Sequence, residues 1–335
     1  MKLVNHTSFP AGIFRTVIDD DRIAASVLAR ITFDVNGGVL TPSGDQSWIV
    51  SGPPWDSPYG PMDSDEVFYK GGVDLFLFGH ARAPRGRAVP RMEVKITIGD
   101  WSRSIVVTGD RVWQRSGAGL TPSAPKPFLE MPLTPAHAFG GKDEWDGLSV
   151  PYPDNEQGKG YYLEEEHAEG RPLPNLEEPD ALITAWADHP EPAGVGACPL
   201  TSGARLRNGL GLDDEGRITE MRPTLYNAAF PRMILKSARP GDSVRVDGVL
   251  GEGPLTFVIP DAAPRVRLTF GDEIIERPLA IDQIGIEADR LRVFLAYRYP
   301  FRYIIHPLQR RRYELFGHPS TVATNGQAST CSSTS

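Results

Sequence analysis

Hydrophobic and polar residues alternate along several short stretches of this chain. The clearest is "RMEVKITI" at residues 91–98, in which Met92, Val94 and Ile96 alternate with charged or polar neighbours. A period of two predicts a β-strand with one buried and one exposed face. The stretch "SIVVTGDRVW" follows after the turn residues "GDW". Together the two stretches predict a β-hairpin.

The same pattern recurs towards both ends of the chain. Near the N-terminus, "DRIAASVLARITFDV" at residues 21–35 and "GGVDLFLFGHARAP", whose strand is closed by Gly79, each predict a strand. In the C-terminal third, "DSVRVDGVL", "PRVRLTF" and "DRLRVFLAYRY" alternate in the same way. Turn signals about every ten residues are typical of β-sandwiches and barrels. We therefore predict a mainly β fold of antiparallel sheets, sandwich- or barrel-like.

The middle of the chain, residues 122–222, follows neither a helical nor a strand period and is dense in Pro, Gly, Asn and Asp. Its aromatic content is too high for a disordered linker, and irregular segments of this length are usually functional. We predict an ordered, irregular Pro/Gly-rich segment packed over the β framework. The chain is then either one β-rich domain at residues 1–316, or two β subdomains, at 1–121 and 223–316, bridged by this segment. Residues 317–335 are small and polar, and predict a disordered Ser/Thr-rich tail.

One part of the middle segment, "PFLEMPLTPAHAFGG" at residues 127–141, is apolar, irregular and almost uncharged. It either crosses between sheets and fills a core, or contacts a partner protein directly. In the first case its glycine pair, Gly140 and Gly141, allows a turn with positive φ. The two interpretations are compatible if Phe128 and Phe139 point inward while the polar side chains between them point outward.

The composition supports strands rather than a helical bundle. The 335 residues include 34 glycines and 31 prolines, and both residue types interrupt helices. The formal net charge of −8 argues against a nucleic-acid-binding groove, which needs a basic face. We therefore expect no nucleic-acid partner.

The sequence predicts neither secretion nor membrane insertion. The first residues, "MKLVNHTSFPAG", are interrupted by polar residues and Pro10, and do not form the apolar core of a signal peptide. No apolar run approaches the ~18 residues needed to cross a bilayer. Cys198 and Cys331 lie in unrelated contexts, so we expect two free thiols in a reducing compartment. The expected location is the cytoplasm.

The sequence carries no motif of a familiar catalytic or cofactor site, since GxxxxGK[ST], GxSxG, HExxH and CxxC are all absent. "LEEEHAEG" places glutamates beside His167, where either a metal ion or solvent is the partner. His80, His137, His189 and His306 have no partner at a diagnostic spacing, although a Ser/His/Asp triad assembled in space stays open. We expect no cofactor.

Several short motifs occur in an order that is specific to one family. They are "GDRVW" (109–113), "PFLEMPLTPAHAFGG" (127–141), "GKGYY" (158–162), "PLPNLE" (172–177) and "YNAAF" (226–230). In these motifs the chain resembles a domain-of-unknown-function family that bacterial type VI secretion loci encode beside the spike protein VgrG and a PAAR-repeat tip protein.

Further matches extend the resemblance over about residues 5–300. Asn5, Phe9 and a Thr-Phe pair match the beginning of the family pattern. "KGGVDLFLFGHARAPRG" resembles its Lys-Pro-x-x-Asp-Val stretch, with Gly71 in place of the proline. "PLAIDQIGIEADRLRVFLAYR" resembles its Leu-x-x-Asp-Thr-x-x-Ile-x-x-Asp stretch, with Gln283 in place of the threonine.

The resemblance implies an adaptor or chaperone rather than an enzyme. Such a protein stabilises a type VI secretion effector or a PAAR-tip protein and helps to load it onto the VgrG spike. The motif residues implied as partner-binding or structural are Phe128, Met131, Phe139, Gly140, Gly141, Tyr161, Tyr162, Asn175 and Asn227. We hypothesise that residues 127–141 form a rigid buttress, which preorganises the aromatic loops after it for a protein partner.

A carbohydrate-binding module or a hydrolase on a β scaffold is the alternative function. The tryptophans available to stack on sugar rings are Trp48, Trp55, Trp101, Trp113, Trp145 and Trp186. Secreted sugar-binding proteins usually carry a signal peptide, and none is predicted here. The adaptor role is therefore the expected one.

Overall fold

The predicted strands are present in the structure, a computed structural model. It describes residues 2–46, 55–57, 60–117, 119–306 and 308–318. Within these ranges the protein is mainly β, most strand pairs are antiparallel and no sheet closes into a barrel. The prediction of a mainly β fold is thus confirmed. Trp48, Cys331 and the predicted tail from residue 319 onward lie outside the described residues.

The strands are short except near the two ends of the chain. Those of the first third are β1 (Leu3–Asn5), β2 (Ala11–Val17), β3 (Arg22–Asn36), β4 (Val39–Pro42), β5 (Trp55–Ser57), β6 (Gly60–Met62), β7 (Val73–Phe78), β8 (His80–Arg82), β9 (Arg91–Ile98) and β10 (Trp101–Thr108). Those of the middle are β11 (Trp113–Ser116), β12 (Gly119–Pro122), β13 (Glu130–Pro132), β14 (Phe139–Gly140), β15 (Lys142–Trp145), β16 (Leu148–Pro151), β17 (Lys159–Gly160), β18 (Leu176–Glu177), β19 (Leu210–Leu212) and β20 (Ile218–Met221). The remainder are β21 (Ile234–Leu235), β22 (Ser243–Asp247), β23 (Leu255–Val258), β24 (Arg265–Phe270), β25 (Glu273–Pro278), β26 (Ala280–Glu287), β27 (Arg292–Ile304) and β28 (Arg311–Phe316).

Helices are few and short in the described part of the chain. The α-helices are α1 (Glu165–Ala168) and α2 (Gly203–Gly209), and single 3₁₀ turns lie at Pro84–Gly86, Pro135–His137, Pro223–Tyr226, Pro231–Met233 and Ala288–Arg290. Among the described residues, no helix combines the length and the apolar character that a membrane crossing requires.

The central sheet has the strand order β2-β3-β27-β26-β7-β21, and β4 also pairs with β3. The strand β3 is buried along nearly its whole length, which explains its almost continuous apolar sequence. β27 runs antiparallel beside it over all of its residues, whereas β26 and β7 are parallel neighbours. Segments from the two ends of the chain therefore form the middle of one sheet.

A second sheet has the order β18-β10-β9-β22-β23, and a third has the order β1-β28-β24-β25. β9 and β10 form the predicted hairpin, with Ile98 opposite Trp101. The turn between them places Gly99 at φ +52°, a left-handed conformation that glycine favours. Along β9, Val94 and Ile96 are buried while the charged residues between them are exposed, so the alternation is confirmed.

Two hydrophobic clusters hold the elements together. The main cluster gathers apolar side chains from all three sheets, among them Leu75, Val94, Leu268 and Phe294. The second cluster consists of Trp113, Leu120, Phe139, Tyr161, Tyr162, Ala168, Leu173 and Ile183. Most of its members belong to residues 122–222, so the irregular middle segment builds a core of its own.

Candidate partner-binding surface

The motif residues proposed from the sequence lie in the interior of the protein. Phe128 is half-buried and the other eight are buried. A buried side chain is not available to a partner in this conformation. The burial therefore favours the structural one of the two roles that the sequence left open for these residues.

Phe139 belongs to a group of aromatic rings in and beside the second cluster. It packs edge-to-face on Tyr152 with ring centroids 4.9 Å apart, and Tyr161 lies 5.2 Å from Tyr152. The hydroxyl of Tyr162 donates a hydrogen bond to the carbonyl oxygen of Pro172 at 2.8 Å. Burial raises the pKa of Tyr152 and of Tyr162 to about 12, so both hydroxyls stay protonated at neutral pH.

Gly140 and Gly141 allow a following loop to cross directly over the backbone. Gly140 has φ +145°, and a Cβ atom there would lie 2.0 Å from the carbonyl oxygen of Asn155. Gly141 has φ +104°, and its Cβ would lie 2.8 Å from the carbonyl oxygen of Gly158. The Asn155 side chain locks the crossing by donating a hydrogen bond to the carbonyl oxygen of Phe139 at 3.0 Å. Only glycine fits this close approach and these φ values.

Residues 127–141 connect the two clusters. Phe128 packs against the main cluster, and its backbone N–H donates to the carbonyl oxygen of Val89 at 3.0 Å. Met131 is buried in the main cluster, whereas Phe139 belongs to the second one. The stretch is thus anchored at both ends in separate cores, as the buttress hypothesis requires.

Asn175 ties three of the motifs together. Its side chain donates a hydrogen bond to Asp110 at 3.1 Å, and its backbone N–H donates to the carbonyl oxygen of His137 at 2.8 Å. Beside it, Arg111 donates to the Glu177 carboxylate at 2.6 Å, and both side chains are buried. The motifs "GDRVW", "PFLEMPLTPAHAFGG" and "PLPNLE" are therefore joined by hydrogen bonds of the buried Asn175 and Arg111.

Asn227 ties the motif "YNAAF" to the motif "KGGVD". Its amide donates to the Asp74 carboxylate and to the carbonyl oxygen of Gly72, both at 2.9 Å, and its side-chain oxygen accepts from the N–H of Gly71 at 3.0 Å. Asp74 also accepts from Lys70 Nζ at 2.7 Å and from two backbone N–H groups of "YNAAF". Asp74 is fully buried, so these bonds satisfy a carboxylate that has no access to water.

Lys70 extends this contact into a buried ionic network. Its Nζ lies 3.6 Å from the carboxylate of Asp282, which also accepts from Arg298 at 2.9 Å. Arg298 donates to the carbonyl oxygen of Asp65 at 3.0 Å, and the Asp65 carboxylate pairs with Arg30 at 2.9 Å. Burial opposes ionisation of Asp282, but the charges of Lys70 and Arg298 outweigh it and lower its pKa. The network therefore consists of charged groups that compensate one another.

The glutamate-rich stretch around His167 makes hydrogen bonds within the protein. His167 Nδ1 lies 2.8 Å from Asp143, and its Nε2 lies 3.7 Å from Glu164. The described part of the chain contains no group of three or more His, Cys, Asp or Glu side chains placed to hold a metal ion. His167 is therefore best described as the partner of Asp143.

We expect the pKa of His167 to lie above its ordinary value of about 6.5. The hydrogen bond that the ring donates to the Asp143 carboxylate favours the protonated ring and is the main cause of the raised pKa. The interaction stabilises the folded protein below the unfolded-state pKa, and this contribution is lost as the pH rises through the folded-state pKa. An NMR titration of the ring protons measures the pKa directly. Asp143→Asn should lower it, whereas Glu164→Gln should change it less.

The alternative hydrolase function can be compared with the histidine, threonine and cysteine side chains of the structure. His80 Nδ1 lies 2.7 Å from Asp289 at the rim of a cleft of about 570 Å³, which is a histidine–carboxylate pair of the kind found in triads. The Thr134 hydroxyl, which also lines the cleft, bonds to His137 at 3.0 Å instead. Cys198 is buried, and burial raises the pKa of its thiol to about 11, which makes it a poor nucleophile.

The tryptophans whose side chains are described do not form a sugar-stacking platform. Trp113 is fully buried in the second cluster, and Trp101 and Trp186 are half-buried. Trp145 is the exposed one among the tryptophans whose side chains are described, with 52% of its surface accessible. A row of exposed rings, as carbohydrate modules use, is therefore not seen in this part of the chain.

A groove with a volume of about 640 Å³ lies beside strand β2 and is named here the β2 groove. Its floor is one face of the sheet, where Thr16 of β2, Ala24 of β3 and Arg302 of β27 are direct neighbours across the strands. Its walls come from residues 66–69 and from the region of Met221. The remaining lining residues are Phe14, Ile18, Arg22, Tyr226, Tyr303 and Ile304.

The β2 groove is rich in exposed apolar side chains. Ile18, Met221 and Ile304 are 46%, 57% and 47% exposed, and Tyr69 and Tyr226 are also exposed. Exposed apolar side chains that cluster in one surface groove typically indicate an interaction site. The groove therefore differs from the motif residues, because its apolar groups are accessible to a partner.

The charges of the β2 groove are mostly positive, in contrast to the acidic chain as a whole. Arg302 is exposed and lies over the ring of Phe68, 5.4 Å from its centroid. No carboxylate of the described residues lies within 4.0 Å of the Arg302 guanidinium. Arg22 pairs with Asp19 at 2.7 Å, and Glu66 is the carboxylate that lines the groove. Arg302 is therefore available to an acidic group of a partner.

The buried ionic network holds the wall of the β2 groove. Arg298 donates to the backbone oxygens of Asp65 and Val67, and the Ser26 hydroxyl donates to the carbonyl oxygen of Phe68. These anchors fix the backbone of residues 65–68 to β3 and β27. The groove is therefore a preformed surface, which lowers the entropic cost of binding.

Sequence patterns alone do not reveal the β2 groove. Tyr226 begins the motif "YNAAF", but the other lining residues stand outside the five main motifs. The available signal is the short stretch "AGIFRTV" of β2, whose apolar and polar residues mix. Its position at the edge of the sheet depends on the pairing of distant strands and is not encoded locally.

Comparison with models of protein families gives a match for most of the chain. A family model described as "Uncharacterized protein conserved in bacteria (DUF2169)" matches residues 20–298. No curated protein and no solved structure matches the chain.

Proposed function

The chain belongs to the DUF2169 family of bacterial proteins, and we propose that it is a non-enzymatic adaptor that binds a partner protein in the β2 groove. The proposed partner is a type VI secretion effector or a PAAR-repeat tip protein, which the adaptor stabilises in the cytoplasm and helps to load onto the VgrG spike. The observation that carries the proposal is the exposed apolar lining of a preformed groove beside a sheet edge.

The physical basis of the proposal is the contrast between a rigid interior and an accessible apolar surface. Lys70, Asp282 and Arg298 fix the groove wall from inside. The groove itself offers apolar and aromatic side chains, which dominate the energetics of protein interfaces. Its lining comes from several elements and includes exposed apolar side chains, which suits contact with a segment of protein.

We expect Met221→Asp to weaken capture of the partner about tenfold or more, because it places an unpaired charge in an apolar contact. The measurement is co-purification of the tagged chain with a co-expressed PAAR-repeat protein, effector or VgrG protein, each tested separately. Met221 is 57% exposed, so the melting temperature should stay close to that of the parent.

The matched control is Ile274→Asp. Ile274 is similarly exposed but lies on β25, in a different sheet. This variant should capture the partner normally. Failure of the parent to bind any of the three proteins would contradict the adaptor proposal. Equal losses in the two variants would show that the β2 groove is not the site.

A further inference from the structure

We infer that the partner of the β2 groove binds as an added β-strand on the open edge of β2, through an extended segment that alternates apolar and acidic side chains. This inference rests on the proposed function in that it assumes a protein partner. It adds the mode of binding and the chemistry of the segment.

The hydrogen-bonding direction of β2 follows from its pairing with β3. Ile18 N–H donates to the Arg22 carbonyl at 2.9 Å, and the Pro10 carbonyl accepts from Arg30 N–H at 3.0 Å. In an antiparallel ladder the paired and unpaired positions alternate. The even-numbered residues of β2 therefore face β3, and the odd-numbered ones, with Arg15 at the centre, direct their N–H and C=O groups outward.

The outer edge of β2 has no backbone partner among the described residues, and its residues 15–17 are exposed. Among the described strands, β2 pairs with β3 alone. A row of outward N–H and C=O groups matches an extended peptide, and neither a helix nor a small molecule satisfies it.

A comparison with β25, another edge strand, supports β2 as the site of strand addition. The edge strand β25 reads "EIIERP", and charged residues and a proline of this kind block strand addition. The strand β2 reads "AGIFRTV" and carries one charged residue, Arg15. β2 therefore lacks the protection that β25 has.

The side chains of β2 define the chemistry of the added strand. Phe14, Thr16 and Ile18 line the groove, so apolar side chains of the new strand on that face would join the groove lining. Arg15 points to the opposite face and is exposed, and no carboxylate of the described residues lies within 4.0 Å of it. An acidic side chain next to Arg15 on the new strand gives a favourable cross-strand pair. The two faces together specify alternating apolar and acidic residues.

The test uses a fluorescein-labelled peptide in which valines alternate with glutamates. The control peptide has the same composition, but with valines and glutamates grouped in separate blocks. Fluorescence anisotropy measures binding to the parent, Arg15→Ala and Arg15→Pro. Arg15→Ala removes the charge and keeps the outward N–H, whereas Arg15→Pro removes both. Proline is tolerated at an edge position whose N–H faces solvent, so the β3 ladder is preserved.

We expect the parent to bind the alternating peptide more tightly than the block peptide. Arg15→Ala should weaken binding a few-fold, and Arg15→Pro should weaken it at least about tenfold further. Val17→Ala and Val17→Pro form a second pair at another outward N–H, should Arg15→Pro fail to fold. Equal binding by the alanine and proline variants, or equal binding of the two peptides, would overturn the inference.

Other occupants of the edge have distinct signatures. If the parent is a dimer in sedimentation and Arg15→Pro is a monomer, a second copy of the chain occupies the edge and the inference is wrong. If removal of residues 319–335 raises peptide affinity about tenfold, the chain's own C-terminal segment competes for the edge, which also contradicts a partner strand.

Capture of a PAAR-repeat or effector protein that is lost in Met221→Asp but kept in Arg15→Pro would preserve the adaptor proposal and reject strand addition. Edge-dependent peptide binding without capture of any proposed partner would reject the adaptor proposal alone.

Discussion

Replacing Phe139 with alanine should lower the free energy of unfolding by about 3–5 kcal/mol, the cost of removing a buried aromatic ring from a core. Phe139 is 2% exposed and packs on Tyr152 in the second cluster. The loss is a large fraction of the stability of a typical domain. Denaturant unfolding followed by tryptophan fluorescence measures it, because Trp113 lies in the same cluster.

The control for this prediction is Trp145→Ala. Trp145 lies in the same part of the chain but is 52% exposed, so its removal should change stability by no more than about 0.5 kcal/mol. If Phe139→Ala unfolds like the parent yet no longer captures the partner, residues 127–141 form a contact surface. The buttress hypothesis would then be wrong.

Replacing Asp74 with alanine should lower the free energy of unfolding by a similar amount, about 3–5 kcal/mol, because it leaves a buried charge without a close partner. Lys70 Nζ would keep the Asp282 carboxylate at 3.6 Å but lose the one at 2.7 Å. Asn227 and two backbone N–H groups would also lose their acceptor. Chemical denaturation of the purified variant measures the change.

A double-mutant cycle separates the ion pair from the other bonds of Asp74. Lys70→Met/Asp74→Ala should be less destabilised than the sum of its single variants, since no unpaired ammonium group remains. Arg245→Ala removes an exposed pair with Asp247 and should cost at most about 1 kcal/mol. Strict additivity in the cycle would show that Lys70 and Asp74 do not stabilise each other.

Phe139 and Asp74, whose replacement has the largest expected effects, both lie in motifs that carry the family resemblance. Their burial gives a physical reason for the presence of these residues in the motifs. Asn175 and Asn227 bridge segments that are far apart in the chain, and each satisfies buried backbone groups. Such positions tolerate few side chains, because an unsatisfied polar group in the interior is costly. A family motif can therefore consist of residues that stabilise the fold rather than residues that contact a partner. Direct contact of these residues with a partner stays a prediction.

The strands that the sequence predicted are those with local signals. The alternation in β9, the turn at Gly99 and the apolar run of β3 can each be read from neighbouring residues. The same holds for the irregular middle segment, where frequent prolines and glycines keep the strands and helices short. These features needed no knowledge of the rest of the fold.

Only the tertiary structure decided the order of the strands and the site that follows from it. Asp74 meets Asn227 across 153 residues of sequence, and Arg30 meets Gln283 across 253. The position of β2 at an open edge depends on β27 occupying the other side of β3. No periodicity in the stretch "AGIFRTV" encodes that arrangement, because strand pairing is set by the summed burial and hydrogen bonding of segments far apart in the chain.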